Sequence, residues 1–124
     1  MIIDSNIIIY STMPDYQNLR EYLRKKQDSL SISFISKIEV LSYHLLKEND
    51  RNIFEIFFNS INILHINEYI IDLTITLKQN QKLTLGDSII AATALFYNEE
   101  LLTNNIKDFI NIQGIRLIPL TEVI

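Results

Sequence analysis

Leu85-Gly86-Asp87-Ser88-Ile89-Ile90-Ala91-Ala92-Thr93-Ala94 decides how the rest of the chain is read. The run predicts a helix over about 87–98 that is apolar on nearly every side, the pattern of a helix buried in a core. Ala91, Ala92 and Ala94 let it approach a sheet closely. At its head stands a carboxylate, Asp87. Burying an unpaired carboxylate is costly, so Asp87 needs a partner. The helix dipole is one candidate, since an acid is favourable at its amino-terminal end. A cation is another.

Outward from this helix, short apolar runs alternate with amphipathic stretches, as α/β units do. Toward the amino terminus, Ile70, Leu73 and Leu77 mark a helix over about 68–80, and Ile61 to Ile66 a strand. Ile53, Phe54, Ile56 and Phe57 make a short apolar helix over 51–59. Ile38, Leu41 and Leu45 share one face of a helix from about Lys37 to Glu48, preceded by the alternating strand Ser31-Ile32-Ser33-Phe34. Pro14 suits an early helical position, and Tyr16, Leu19 and Leu23 then predict a surface helix over 14–27. Ile2-Ile3 is a first strand ending at Asp4, while Leu101-Leu102-Thr103 and Ile115 to Pro119 are the last two. About five short strands separated by helices define an α/β fold, a three-layer sandwich with a mostly parallel central sheet flanked by helices. The length of 124 residues fits a single domain over 1–124.

Composition narrows the class further. A hydrophobic content of 48 % suits a globular chain, and the two glycines and two prolines are too few for a collagen-like or loop-dominated scaffold. Without cysteine there are no disulfides and no cysteine zinc sites, which fits a reducing compartment. No apolar run approaches the roughly 20 residues that span a bilayer, and Met1-Ile2-Ile3-Asp4 has no basic lead, so a soluble, cytoplasmic protein without membrane contact is expected. The net charge of −4 argues against a nonspecific nucleic-acid binder. It leaves room for an enzyme acting on phosphodiesters, because carboxylates gathered for a divalent ion make the protein acidic until the ion inverts the local field.

Ligands of open α/β sheets bind beyond the carboxyl ends of the strands. Asp4 ends the first strand there, within Asp4-Ser5-Asn6, and a helix cap or turn would also explain it. Glu39 follows the second strand. Ser36-Lys37-Ile38-Glu39 matches a capping box, which accounts for Glu39 without chemistry, although a capping glutamate still has an oxygen free for an ion. Each acid alone is weak, but the set is stronger: Asp4, Glu39 and Asp87 lie on separate α/β units at the same edge of one sheet. Like charges there would raise one another's pKa, and a divalent cation would relieve them. All-oxygen ligands select Mg²⁺ or Mn²⁺, ions that polarise phosphate and activate water.

These residues resemble the PIN-domain family. Met1-Ile2-Ile3-Asp4-Ser5-Asn6 is similar to its amino-terminal strand and turn, and Ile32-Ser33-Phe34-Ile35-Ser36-Lys37-Ile38-Glu39-Val40-Leu41 to the segment that delivers its glutamate. The stretch 85–94 resembles its central motif, and Leu101-Leu102-Thr103-Asn104-Asn105-Ile106-Lys107-Asp108-Phe109 its fourth. The resemblance runs the length of the chain. It implies that Asp4, Glu39 and Asp87 take the principal acidic roles and hold the metal, with Asp4 and Asp87 foremost as direct ligands. It further implies a VapC-type toxin that cleaves RNA with Mg²⁺ and is held inactive by a cognate antitoxin. One departure matters: Asn105 stands where many members carry an acid, so one tight ion is favoured over two. Asp108 could substitute, and lies three residues further on. Thr103 would help orient water or phosphate, or simply end a strand; Ser5 and Asn6 would position Asp4.

Other polar residues carry less. His44 and His65 lack a ligand pattern, and Arg20, Arg24, Lys25 and Lys26 make a solvated face or a contact for RNA or antitoxin. The aromatic and isoleucine-rich composition makes a homodimer the expected state. Two further readings compete with a nuclease. One is a PIN-fold binding module with weakened catalysis, motivated by Asn105. The other is a receiver-like α/β protein, disfavoured because no lysine is well placed after a late strand.

Overall fold

The computed structural model describes residues 1–124 throughout. In chain order the elements are β1 (Ile2–Ile3), α1 (Ser5–Tyr10), α2 (Gln17–Lys25), β2 (Ser31–Ser33), α3 (Phe34–Leu41), α4 (Glu48–Ser60), β3 (Asn62–Leu64), α5 (Glu68–Asn80), α6 (Leu85–Tyr97), β4 (Leu101–Thr103), α7 (Ile106–Phe109) and β5 (Leu117–Pro119). The five strands form one sheet in the order β3-β2-β1-β4-β5, and every pairing is parallel. The expected three-layer α/β sandwich is what the chain adopts.

Alternation along the strands divides the core. Ile3 and Leu102 pack with Ile7, Leu19, Leu23, Ile32, Phe54 and Phe58 on one face. Their neighbours Ile2 and Leu101 pack with Ile90, Ala91, Ala94 and Phe109 on the other. This is the two-residue period of a sheet covered on both sides. Helix α6 is buried from Ser88 to Ala94, as its composition requires. It stops at Asn98, whose left-handed conformation (φ 54°) ends the helix in the way asparagine tolerates.

Several boundaries differ from the sequence reading. Ile7-Ile8-Ile9, which reads only as an apolar run, lies in α1. Isoleucine is a mediocre helix former, but complete burial of Ile7 and near-complete burial of Ile8 outweigh propensity. Phe34 belongs to α3, so the second strand is one residue shorter than its alternation suggests. The helix expected over 37–48 runs instead from Phe34 to Leu41, because Ser33 caps it by accepting from the Ile35 amide at 3.3 Å. The helix expected over 14–27 divides into a 3₁₀ turn over Pro14–Tyr16 and α2. That of 51–59 extends to 48–60, and the strands of 61–66 and 115–119 shorten to 62–64 and 117–119.

Strand order reverses between β1 and β4. In open parallel sheets such a reversal opens a crevice at the carboxyl ends of the strands. That crevice is where the acids lie.

Candidate active site

Asp4 leaves β1 into the crevice and is almost fully buried, at 3 % exposure. Two hydrogen bonds fix its carboxylate. The Ser5 amide donates to Oδ1 at 2.8 Å, and the Thr103 hydroxyl, at the end of neighbouring β4, donates to Oδ2 at 2.7 Å. Thr103 is itself oriented, because its Oγ1 accepts from the Asn105 amide at 2.9 Å. Thr103 is thus more than a strand-end residue: it is the clamp on Asp4.

The second acid arrives from α3. Glu39 Oε1 accepts from the Ser5 hydroxyl at 2.7 Å, and Ser5 Oγ also lies 3.0 Å from Ser36 Oγ. The capping box expected over Ser36–Glu39 does not form. Ser33 is the cap, Ser36 lies inside the helix and faces Ser5, and Glu39 projects from the middle of α3. Gly86 makes room for it. A Cβ at residue 86 would fall 2.5 Å from Glu39 Oε2, so the glutamate lies against the bare glycine backbone at the start of α6.

Asp87 follows immediately. It is not the cap of α6: Thr84 is, its hydroxyl accepting from the Asp87 amide at 3.1 Å. Asp87 instead occupies the first turn and is half-buried. Burial raises its pKa to about 6, helped by the charges of Asp4, Asp108 and Glu39. Asp4 is also pushed up, chiefly by burial and further by Glu39 and Asp108, against the lowering effect of its bonds to Thr103 and Ser5. The four carboxylates therefore feel one another at one edge of the sheet.

Asp108 is exposed in the first turn of α7, yet its charge reaches both buried acids. Asn105 adjoins the site through its amide, and no hydrogen bond ties half-buried Asn6 to Asp4. Sequence reasoning assigns Ser36 a capping role and Thr84 none; in the structure they order Ser5 and the first turn that carries Asp87. The signal for Thr84 was present as Thr84-x-x-Asp87, a threonine three residues before an acid at a helix start. His44 and His65 are exposed.

The donor set is all oxygen, which suits a hard divalent cation. As they stand, no three acid or histidine side chains are close enough together to enclose an ion. A Mg²⁺ site does not need such a cage, since this ion usually keeps several waters and takes one or two carboxylates. Asp4 and Asp87, the two acids with burial and mutual repulsion to relieve, are the pair that would hold it.

An all-parallel sheet with acids at its switch point defines an α/β domain built to gather negative charge. The model of the PIN domain matches residues 1–115, and the chain belongs to the PIN-domain family. Among solved structures, it is similar to a toxin–antitoxin complex from Klebsiella pneumoniae, with 30 % identity, 94 % of each chain covered and a TM-score of 0.76. It is also similar to VapBC-1 from nontypeable Haemophilus influenzae, at 27 % identity over 97 % of each chain and a TM-score of 0.78. VapBC2 from Rickettsia felis, bound to a promoter DNA fragment, is 25 % identical, with 95 % of this chain and 96 % of that one covered and a TM-score of 0.78. No curated protein matches. One of these structures is named as a toxin–antitoxin complex and two as VapBC, and the resemblance read from the motifs is to the PIN-domain family that the chain belongs to.

Proposed function

We propose that the chain is a VapC-type toxin, an endoribonuclease that uses Mg²⁺ or Mn²⁺ at Asp4 and Asp87 to hydrolyse RNA phosphodiester bonds. The observation that supports this reading is that Asp4 and Asp87 are within electrostatic reach of each other and of Glu39, with the pKa values of both aspartates raised by burial and by their neighbours' charges. Bound there, a divalent ion would polarise the phosphate and lower the pKa of an attacking water. The chain's own residues supply position. Thr103 and the Ser5 amide hold Asp4 in one rotamer, and the Ser5 hydroxyl occupies Oε1 of Glu39. Oε2 is then the atom of Glu39 that would take the proton from the attacking water as its oxygen bonds to phosphorus and the bond to the leaving ribose oxygen breaks.

The expected partner is a cognate antitoxin. A groove of about 730 Å³ between α2 and α4, lined by Leu23, Ile53, Phe54 and Phe57 together with Arg20, Arg24 and Asp28, fits an amphipathic helix. Dimerisation of the chain is supported by the exposed aromatic patch of Tyr69, Phe96 and Tyr97 on α5 and α6. No helix is long and apolar enough to cross a membrane, and a cytoplasmic location belongs to the same proposal.

The test is cleavage of a labelled RNA pool by purified protein with Mg²⁺ or Mn²⁺. Cutting should vanish in Asp4→Ala and in Asp87→Ala; cutting that survives both changes in clean protein overturns the assignment. A second reading, a binding module with weakened catalysis, draws on Asn105 and on the absence of a closed three-acid cage. Calorimetric titration with Mn²⁺ separates the two. Heat that disappears in Asp4→Ala supports the nuclease, and no binding at all supports the module.

A further inference from the structure

A second concave surface adjoins the acids. It is a cleft of about 520 Å³ between the turn joining α5 to α6 and the helix α7 with the residues after it. Its lining is Asn80, Gln81, Lys82, Lys107, Asp108 and Asn111, with no apolar side chain among them. The two walls are tied together where the Gln81 side-chain amide donates to the Asn111 carbonyl at 3.2 Å.

The lysines are the informative part. Lys82 and Lys107 are exposed, and neither pairs with a carboxylate, since the single ion pair of the chain joins the Met1 ammonium to Glu99. Nearby Lys78 is different, because its ammonium is spent on the Leu83 carbonyl at 2.7 Å. In a chain of net charge −4, two free ammonium groups therefore line one polar cleft. Asp108 belongs to that cleft and is also one of the charges felt by Asp4 and Asp87. The cleft is built on the two segments that carry the site: Lys82 stands on the turn leading into α6 and Asp87, and Lys107 on the helix that follows Thr103, the partner of Asp4.

An acidic crevice repels a polyanion everywhere except where a cation is bound. A strand entering it needs positive charge just outside, and lysine serves phosphate as a flexible point charge. The exposed Asn111 amide can both donate and accept, and Asn80, whose Nδ2 donates to the Thr76 carbonyl at 2.9 Å, keeps its oxygen as an acceptor, which suits ribose hydroxyls and the edges of unstacked bases. We propose that Lys82 and Lys107 form a subsite for a backbone phosphate of single-stranded RNA flanking the scissile bond, with the amides of the same cleft against the adjoining nucleotide. This rests on the nuclease reading above and adds to it where the strand lies. The residues are positioning residues: they touch substrate away from the reacting phosphorus.

The experiment compares wild type, Lys82→Ala/Lys107→Ala and Lys82→Arg/Lys107→Arg on a fluorescein-labelled single-stranded RNA dodecamer. Steady-state cleavage with Mg²⁺ and anisotropy with Ca²⁺ are both measured over a range of salt concentrations. The alanine pair should raise KM and weaken binding by about tenfold with kcat unchanged. The salt slope should fall by about 1.4, the value for two contacts to a single strand. The arginine pair should restore both. On bis-p-nitrophenyl phosphate, which has no flanking phosphate, the alanine pair should match wild type. Wild-type protein that neither binds nor cuts the dodecamer sinks the nuclease reading itself. Wild-type protein that cuts it, with KM and salt slope unmoved in the alanine pair, sinks only the subsite.

Discussion

At the sheet edge every buried polar atom has a partner: Thr103 and the Ser5 amide hold Asp4, the Ser5 hydroxyl holds Glu39, and Thr84 caps the helix that carries Asp87. The groove between α2 and α4 is made of other material. Leu23, Phe54 and Phe57 form its floor, exposed Ile53 stands on its wall, and Arg20, Arg24 and Asp28 share its lining. The first region spends stability to hold charge in place, for burying carboxylates beside one another is unfavourable until something neutralises them. The second loses little by waiting empty and gains when an apolar surface fills it. The proposed catalytic centre and the proposed docking surface therefore differ in the sign of what they do to the isolated fold.

The largest effect that would break this contrast comes from Asp87→Asn. Cleavage should fall by about 100-fold or more, the scale on which losing one preorganised electrostatic group is felt. The unliganded protein should nevertheless become more stable at neutral pH, because the amide needs no counter-ion. The sign follows from linkage. A carboxyl whose folded pKa is about 6 takes up a proton more readily folded than unfolded. Its contribution to stability is thus full below about pH 4 and is lost as pH rises through about 6, by of order 1 kcal/mol once screening is allowed for. Urea melts at pH 4.5 and 7.5 without divalent ions check this. A wild-type midpoint that fails to drop between them, relative to Asp87→Asn, removes the claim that the acid is held at a cost.

Next in size is the groove. Arg24→Glu with Ile53→Glu should weaken capture of the proposed antitoxin by about 30-fold, the loss expected for one strong anchor. Both side chains are exposed, so melting and RNA cleavage should stay at wild-type values. Reduced cleavage would show that the two regions are not separate. The smallest effect belongs to Thr103→Val. It frees Asp4 Oδ2 while nearly preserving shape, and removing such a supporting bond costs about tenfold in activity or metal affinity. Calorimetry with Mn²⁺ should register the same loss without RNA present.

Which parts of this were readable in the residues follows from how local each cause is. Asp4, Glu39 and Asp87 could be placed at one edge because Asp4 ends a strand, Asp87 opens a helix and Glu39 lies on the helix that follows β2, and short parallel strands align their ends. The three-layer arrangement was legible from apolar runs alternating with helices, above all from the buried character of 89–94. The capping of α3 was not, since Ser33 and Ser36 are both acceptable caps and only the end of β2 decides between them. The role of Thr103 was hidden for another reason. Its bond to Asp4 spans 99 residues and exists because β1 and β4 are neighbours, a fact of topology that no local pattern carries. The reach of Asp108 is similar, for it depends on α7 folding back beside the crevice.

Gly86 offers a lever that charge substitutions do not. The atom a methyl group would strike at this position is the tip of a flexible glutamate, and alanine favours a helix over glycine by about 1 kcal/mol. Gly86→Ala would therefore leave every ionisable group in the chain intact and push one of them aside. If the proposed function holds, a single methyl group would separate an aligned Glu39 from a displaced one, so the smallest residue in the motif would govern alignment as surely as the acids govern charge.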